Sequence, residues 1–440
     1  MKQAHWIAAA VIAALISADS RAASQPPPHL IRVATYDTGL GANGSEIVSV
    51  RHTDGVAALT NVAGSVDVLD LSDPAHPVLL RRVAIDTTTG TPNSVAVHPH
   101  HDFFLVAIGR SGTTGSVAAY RLSDGAFLGS ASAGIQPDSI AIAPNGEFAV
   151  IANEAEATGI GQNGGPGSLS VVDLTGFTGV EPNELAVTNI PLPSAAGVPG
   201  FSTQRTDDIA RLPIDNQPGT LEPESVTFST NSRFAYVTLQ ENNGVVRLDM
   251  NDLGLTYFGV GQTLHDADLV VDGLYNPVAF LTAFREPDGI ALDVTGRFFV
   301  TADEGDTRNA AGASGPRGGR TVSVFDADTG VLLGDTGSQI DDRAAAAGVY
   351  PDSRSDRGST EPEVLDLTHY RGLTLVAVGL ERANAVALID VSDPSAPAVI
   401  DVESVDVGPE GMQFFRRGKR LFVAAANEVS GTLSILEVVF

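Results

Sequence analysis

Carboxylates recur along this chain at the starts of short apolar runs. A proline or small residue followed by Asn, Asp or Glu opens such a run seven times, at Gly44-Ser45-Glu46, Pro92-Asn93-Ser94, Pro137-Asp138-Ser139, Glu222-Pro223-Glu224, Glu286-Pro287-Asp288, Glu361-Pro362-Glu363 and Pro409-Glu410-Gly411. A second polar cluster follows about fifteen residues later in each copy. These closers are Thr60-Asn61, Gly109-Arg110, Asn153-Glu154, Gln240-Glu241-Asn242, Asp303-Glu304, Glu381-Arg382 and Asn427-Glu428. Abundant oxygen donors, with 0 Cys and 9 His in the chain, suit Ca²⁺ best and Mg²⁺ or Mn²⁺ next.

The expected metal ligands are Glu222, Glu224, Glu286, Asp288, Glu361, Glu363 and Glu410, with Glu224, Asp288, Glu363 and Glu410 foremost and Glu46 a further member of the same ring. A second ring further out is expected from Glu154, Glu241, Asp303, Glu304, Glu381 and Glu428. Carboxylates gathered so closely need protons, arginine partners or a metal. Three openers are doubled: Glu222 with Glu224, Glu286 with Asp288, and Glu361 with Glu363. Residues two apart on a strand share a side, and the intervening proline favours an extended approach. Each pair is therefore expected to converge on one cation. Pro-Asp and Pro-Glu at strand starts also act as turn caps, the favoured reading for Asn93 and Asp138, which lack the preceding acid.

Other chemistry is scarce. The chain has no Gly-x-Ser-x-Gly elbow, no phosphate-binding glycine loop before a lysine, no His-Glu-x-x-His and no dinucleotide fingerprint, which argues against a serine hydrolase, an NTPase, a zinc protease or a dehydrogenase. Any catalysis would rest on metal-activated water and carboxylates. Arg285 and Arg382, with Arg308, stand beside the acidic clusters and could clamp a phosphate; charge compensation among neighbouring acids is the slightly favoured role. His265-Asp266-Ala267-Asp268 with Asp272 reads as a solvated loop rather than a metal site. Asp326 to Gly330 imitates the start of an EF-hand loop but lacks the distal Glu, and reads as a hairpin turn. His98-Pro99-His100-His101 aligns with ordinary turns at Ala143 to Gly146 and Ser229 to Ser232, and reads as a turn too.

The elements that must position these groups are short β-branched and aromatic runs broken by Gly, Asn, Asp and Pro. With a repeat period of roughly forty to fifty residues they specify an all-β, seven-bladed β-propeller, one copy per four-stranded blade. The seventh copy runs out of chain after three strands, and an unassigned strand, Leu30 to Tyr36, precedes the first. Pairing of that N-terminal strand with the C-terminal blade would close the ring and remove sheet edges. Long insertions at about 154–167, 190–221, 259–285, 303–319 and 335–360 all fall in the loops of one face, here called upper, where the openers and closers also lie. A rigid scaffold with one elaborated acidic face is the layout of a binding or catalytic surface.

Composition bounds the setting. Lys2, the apolar stretch Ile7 to Ala18 and Ser20-Arg21-Ala22 read as a signal peptide over residues 1–22, leaving one domain over 23–440. With 0 Cys there is no lipid attachment after it and no disulfide, so the core alone holds the fold. Export by the general secretory route to the periplasm or beyond is expected, without a membrane anchor and as a monomer. A net charge of −27 repels nucleic acid and anionic membrane and attracts cations.

Larger motifs carry a family likeness. Glu222-Pro-Glu-Ser-Val, Tyr236-Val-Thr-Leu-Gln-Glu-Asn-Asn, Arg285-Glu-Pro-Asp-Gly-Ile-Ala and Thr301-Ala-Asp-Glu-Gly-Asp-Thr-Arg, with Gly379-Leu-Glu-Arg, Gly408-Pro-Glu-Gly and Ala426-Asn-Glu-Val-Ser-Gly-Thr, resemble the choice-of-anchor I family. The match runs in order from about Val66 to Val438. The resemblance implies an exported propeller with biomineral-associated or alkaline-phosphatase-labelled relatives, and it supplies no catalytic residues. Two functions follow. The leading expectation is a calcium-binding module with a small-molecule or protein ligand on its upper face. The alternative is a calcium-dependent phosphomonoesterase, with a lactonase-like metal hydrolase behind it.

Overall fold

The computed structural model describes residues 27–155, 167–192, 221–305 and 318–440. The signal segment, Arg308 and most of three insertions (154–167, 190–221 and 303–319) lie outside them. Each apolar run is a strand of four to nine residues in a four-stranded antiparallel meander, except Val48–Val50, which is shorter. Seven such sheets are present, joined in chain order. Blades 1 to 6 begin at Val48, Thr91, Pro137, Pro223, Pro287 and Pro362. Blade 7 takes Pro409–Arg417, Arg420–Asn427 and Thr432–Val439 from the C-terminus, and its fourth strand, His29–Asp37, from the N-terminus. The expected closure is present, running from His29 opposite Val439 to Asp37 opposite Thr432 with a bulge at Val33.

Packing follows from burial on both faces. A blade sheet buries both faces, one against each neighbour, so its middle strands are apolar on both sides. Seven apolar clusters fill the seven junctions between adjacent blades. Val48, Leu59 and Leu69 of blade 1 pack on Phe415, Phe422 and Ile435 of blade 7, sealing the ring where the chain ends meet. Side chains of the innermost strands also reach across to the next blade. Val97 N–H donates to Ser49 Oγ at 3.0 Å, Phe414 N–H to Asp366 Oδ2 at 2.7 Å and Val50 N–H to Gln413 Oε1 at 2.5 Å. Gly289 serves the same closeness differently: a Cβ there would stand 2.5 Å from the Glu363 carbonyl oxygen of blade 6.

Two insertions carry structure of their own on the upper face. Residues Gln262–Ala267 and Ala279–Phe284 form a two-stranded hairpin. Gln339–Ala347 is a short helix, closed by Gly348 in the left-handed region at φ 77°. That helix had no counterpart in the sequence reading. Buried Arg320 ties both insertions together, donating to the carbonyls of Asp268 at 3.0 Å and Ser355 at 2.9 Å. No helix among the described residues is long and apolar enough to cross a membrane.

Candidate metal centre

The openers sit where strand A meets the end of strand B. Pro137 lies opposite Asn153, Pro223 opposite Leu239, Pro287 opposite Asp303, Pro362 opposite Leu380 and Pro409 opposite Asn427. Immediately after each proline the register shifts. Asp138, Glu224, Asp288, Glu363 and Glu410 thus occupy a recurring β-bulge, and Asn93 does so in blade 2. A bulge leaves its extra residue outside the ladder and re-aims the side chain. Of these acids, Asp138, Asp288, Glu363 and Glu410 line the channel, a cavity of about 810 Å³ that Glu46 also lines.

Two groups at this mouth have the spacing of a cation site. Carboxylate oxygens of Asp288, Glu304 and Glu363 lie within 4.8 Å of one another, and so do those of Glu363, Glu381 and Glu410. Glu304 and Glu381 are buried behind, while Asp288, Glu363 and Glu410 are half-buried on the channel side. The buried Oε2 atoms of Glu363 and Glu381 have no hydrogen-bond partner. The other oxygen of Glu381 is held by Arg382.

Electrostatics connect the acids around the ring. Burial, then Asp138 and Glu428, push the Glu46 carboxyl up to about 8. Burial raises Glu224 well above the usual range, helped by Glu241, Asp288, Glu154 and Asp138. Glu363 is raised likewise by burial and by Glu304, Glu381, Asp288 and Glu410. Burial and then Glu428, with which it shares a hydrogen bond, lift Glu410 to about 9. Each acid is thus held near its neighbours at a cost to its charged form that a cation would offset.

Of the expected ligands, Asp288, Glu363, Glu410, Glu304 and Glu381 come together in these two groups, while Glu224 stands beside them, facing Glu241, Asp288, Glu154 and Asp138. Two of the doubled openers are not extended. Glu286 and Glu361 adopt φ of 46° and 50°, not the extended conformation, so the chain turns between the two acids. Glu361 faces away to Arg354 and to Arg382, whose Nε lies 2.7 Å from its Oε2. Glu222 and Glu286 are buried under the blade tops, their N–H groups donating to Asn242 and Asn243. Gln136 and Gly408 hold the same slot in blades 3 and 7, also with positive φ (51° and 76°). Gly408 was the available signal that this position turns left-handed.

Asp303 is not a mouth residue. It accepts from Thr301 Oγ1 at 2.7 Å and Thr321 Oγ1 at 2.6 Å, and also from Ser323. Asn153 and Asn427 bond to strand C from the same position. The first polar residue of these closers therefore clasps strand C, and the next one, Glu154, Glu304 or Glu428, turns toward the mouth. Glutamine amides brace these acids: Gln240 donates to Glu304 Oε2 at 2.5 Å, and Gln136 donates to Glu154. The sequence reading missed both.

Arg285 cannot clamp a phosphate. It is buried, donating to Ser323 Oγ at 2.8 Å, to the carbonyls of Val260 and Gln262, and to Asp335 at 2.5 Å. Its charge is spent on Asp303, 3.7 Å away, and Asp335. Arg382 is 42% exposed and lies between Glu361 and Glu381, compensating charge as the favoured reading has it.

The remaining motifs are structural. His98 Nδ1 accepts from the His100 and His101 N–H groups and Nε2 meets the Gly146 carbonyl at 3.0 Å, leaving no lone pair for a metal. Asp326 caps its turn through Asp328 and Thr329 N–H. His265 to Ala267 are not a solvated loop but the end of the hairpin strand Gln262–Ala267, with His265 and Asp268 buried and Asp268 accepting from Val270 and Asn276 N–H.

A seven-bladed propeller with a carboxylate-lined upper mouth is the class these observations define. The choice-of-anchor I domain model matches residues 46–315 and 316–394, and the chain belongs to that family. No curated protein matches it. Among solved structures it is similar to a hydrazine synthase of Kuenenia stuttgartiensis, with TM-score 0.58 and 14% identity over 90% of this chain and 95% of that one. It is also similar to the Cps50 (Swd1) β-propeller domain of Myceliophteria thermophila, with TM-score 0.54 and 11% identity over 93% and 100%. At such identities the likeness speaks for the fold alone.

Proposed function

We propose that this protein is an exported, calcium-binding propeller that engages a ligand or partner on its upper face through the bound cation. The observation that supports this reading is the pair of three-carboxylate groups, each within 4.8 Å, with sealed and unpartnered oxygens on Glu363 and Glu381. A buried carboxylate oxygen without a donor is costly, and a hard cation with an all-oxygen shell supplies the missing partner. Asp288, Glu363 and Glu410 face the channel, so a cation there would keep positions open to a ligand's oxygen atoms.

Melting of EDTA-stripped protein with and without calcium tests this. At one hundred times its dissociation constant, calcium should add about 2.7 kcal/mol. For a chain of 440 residues that raises Tm by about 3 °C. Unaltered melting at millimolar calcium would count against the reading. Adjacent cation sites are also what a metal-dependent phosphomonoesterase requires, which favours that activity as the second reading. Release of p-nitrophenol from p-nitrophenyl phosphate, dependent on calcium and lost in Glu363→Gln, would establish it; no turnover with any divalent metal would discard it.

A further inference from the structure

Glu363 is common to both three-carboxylate groups. Building on the calcium reading above, we infer that the mouth holds two divalent cations bridged by the Glu363 carboxylate, one completed by Asp288 and Glu304, the other by Glu381 and Glu410. A carboxylate has two oxygens and about four lone-pair directions, so one side chain can serve two ions. The 4.8 Å condition is met by Asp288, Glu304 and Glu363 as one group and by Glu363, Glu381 and Glu410 as another, which fits two ions better than one shared by all five residues.

A second observation points to ligands rather than to acids merely crowded together. Glu381 is only 5% exposed, and its Oε2 is sealed without a hydrogen-bond partner although Arg382 holds the other oxygen. On the far side of Glu363, Glu304 is buried and already positioned by the Gln240 amide at 2.5 Å. Both outer ligands are thus fixed by protein contacts at one atom. Support of this kind orients metal-binding carboxylates. The backbone adds its own constraint. Asp288, Glu363 and Glu410 all occupy bulges one residue after an opener proline, so three consecutive blades deliver their acids at one height, with Glu363 in the middle.

The test is a count. Native mass spectrometry of stripped full-length mature protein, titrated with Ca²⁺ alone, should show two specific calcium ions per chain. Glu304→Gln and Glu410→Gln should each retain one, and Glu363→Gln should weaken both by at least tenfold, since ligand charge sets affinity in such sites. A compact charge-state distribution for each variant confirms that it is folded. Saturation at one ion, or Glu304→Gln and Glu410→Gln removing the same ion, overturns the bridged pair while leaving the calcium reading intact. No specific calcium in the parent protein overturns both.

Discussion

Glu46 offers a test at a residue that is not one of the five ligands. It opens blade 1, its N–H donates to the Thr60 carbonyl at 3.1 Å, and its Oε2 is sealed without a partner. Burial first, then Asp138 and Glu428, raise its carboxyl from 4.5 to about 8, and Glu410 faces the same group. The native state therefore holds this proton more tightly than the unfolded chain does. The resulting stability is complete below about pH 4.5 and is lost as pH rises through about 8. A shift of that size corresponds to at most about 5 kcal/mol. Gln is neutral at every pH and nearly the same shape. In EDTA the Glu46→Gln variant should match the parent near pH 4.5 and exceed it at pH 9, by up to about 5 °C in Tm at roughly 2.1 cal/mol/K per residue. Scanning calorimetry at the two pH values reads the difference. A variant no more stable than its parent at pH 9 would refute the claim that this charge is held at a cost.

Three further outcomes follow from the packing and the site. Deleting residues 23–37 removes the strand that pairs with Thr432–Val439 and exposes a sheet edge; Tm should fall by several degrees with oligomers appearing in size-exclusion chromatography, and unchanged melting would contradict the closure. Arg285→Met leaves Asp303 buried beside Ser323 and Thr321 without its cation, and should cost about 3–5 kcal/mol in denaturant unfolding while the calcium count stays the same; a changed count would return Arg285 to the site. Gly289→Ala presses a methyl group within 2.5 Å of the Glu363 carbonyl oxygen, and should cost about 1–3 kcal/mol while weakening calcium binding measured by calorimetry; intact affinity would show that the mouth tolerates a shift of blade 6.

The ring, its closure and its acidic face were legible because they follow from periodicity. Seven copies of opener and closer set the blade count, and a three-stranded last copy with an unassigned first strand left one way to close. The site was legible only to the level of a region. Reading Glu286 and Glu361 as extended assumed that strand alternation began at the acid before the proline. The left-handed turn at that residue, visible in the sequence only as Gly408, and the bulge after the proline both break the alternation. Asp303 was misplaced for a related reason. Its equivalents are Asn153 and Asn427, and a carboxylate in an asparagine slot looks like a ligand until its hydroxyl partners on strand C are known. Arg285 compensates charge, as the favoured reading has it, but its partners were hidden: chain proximity to Glu286 concealed a side chain running into blade 5 toward Asp303 and Asp335.

Whether the carboxylates of blades 5, 6 and 7 hold a divalent cation can be read from anomalous diffraction of crystals soaked in Mn²⁺ as a calcium substitute. Anomalous peaks are expected within coordination distance of Glu363, between Asp288 and Glu304 on one side and between Glu381 and Glu410 on the other. A map with no peak at the mouth, or with peaks only among surface acids elsewhere, would contradict this expectation.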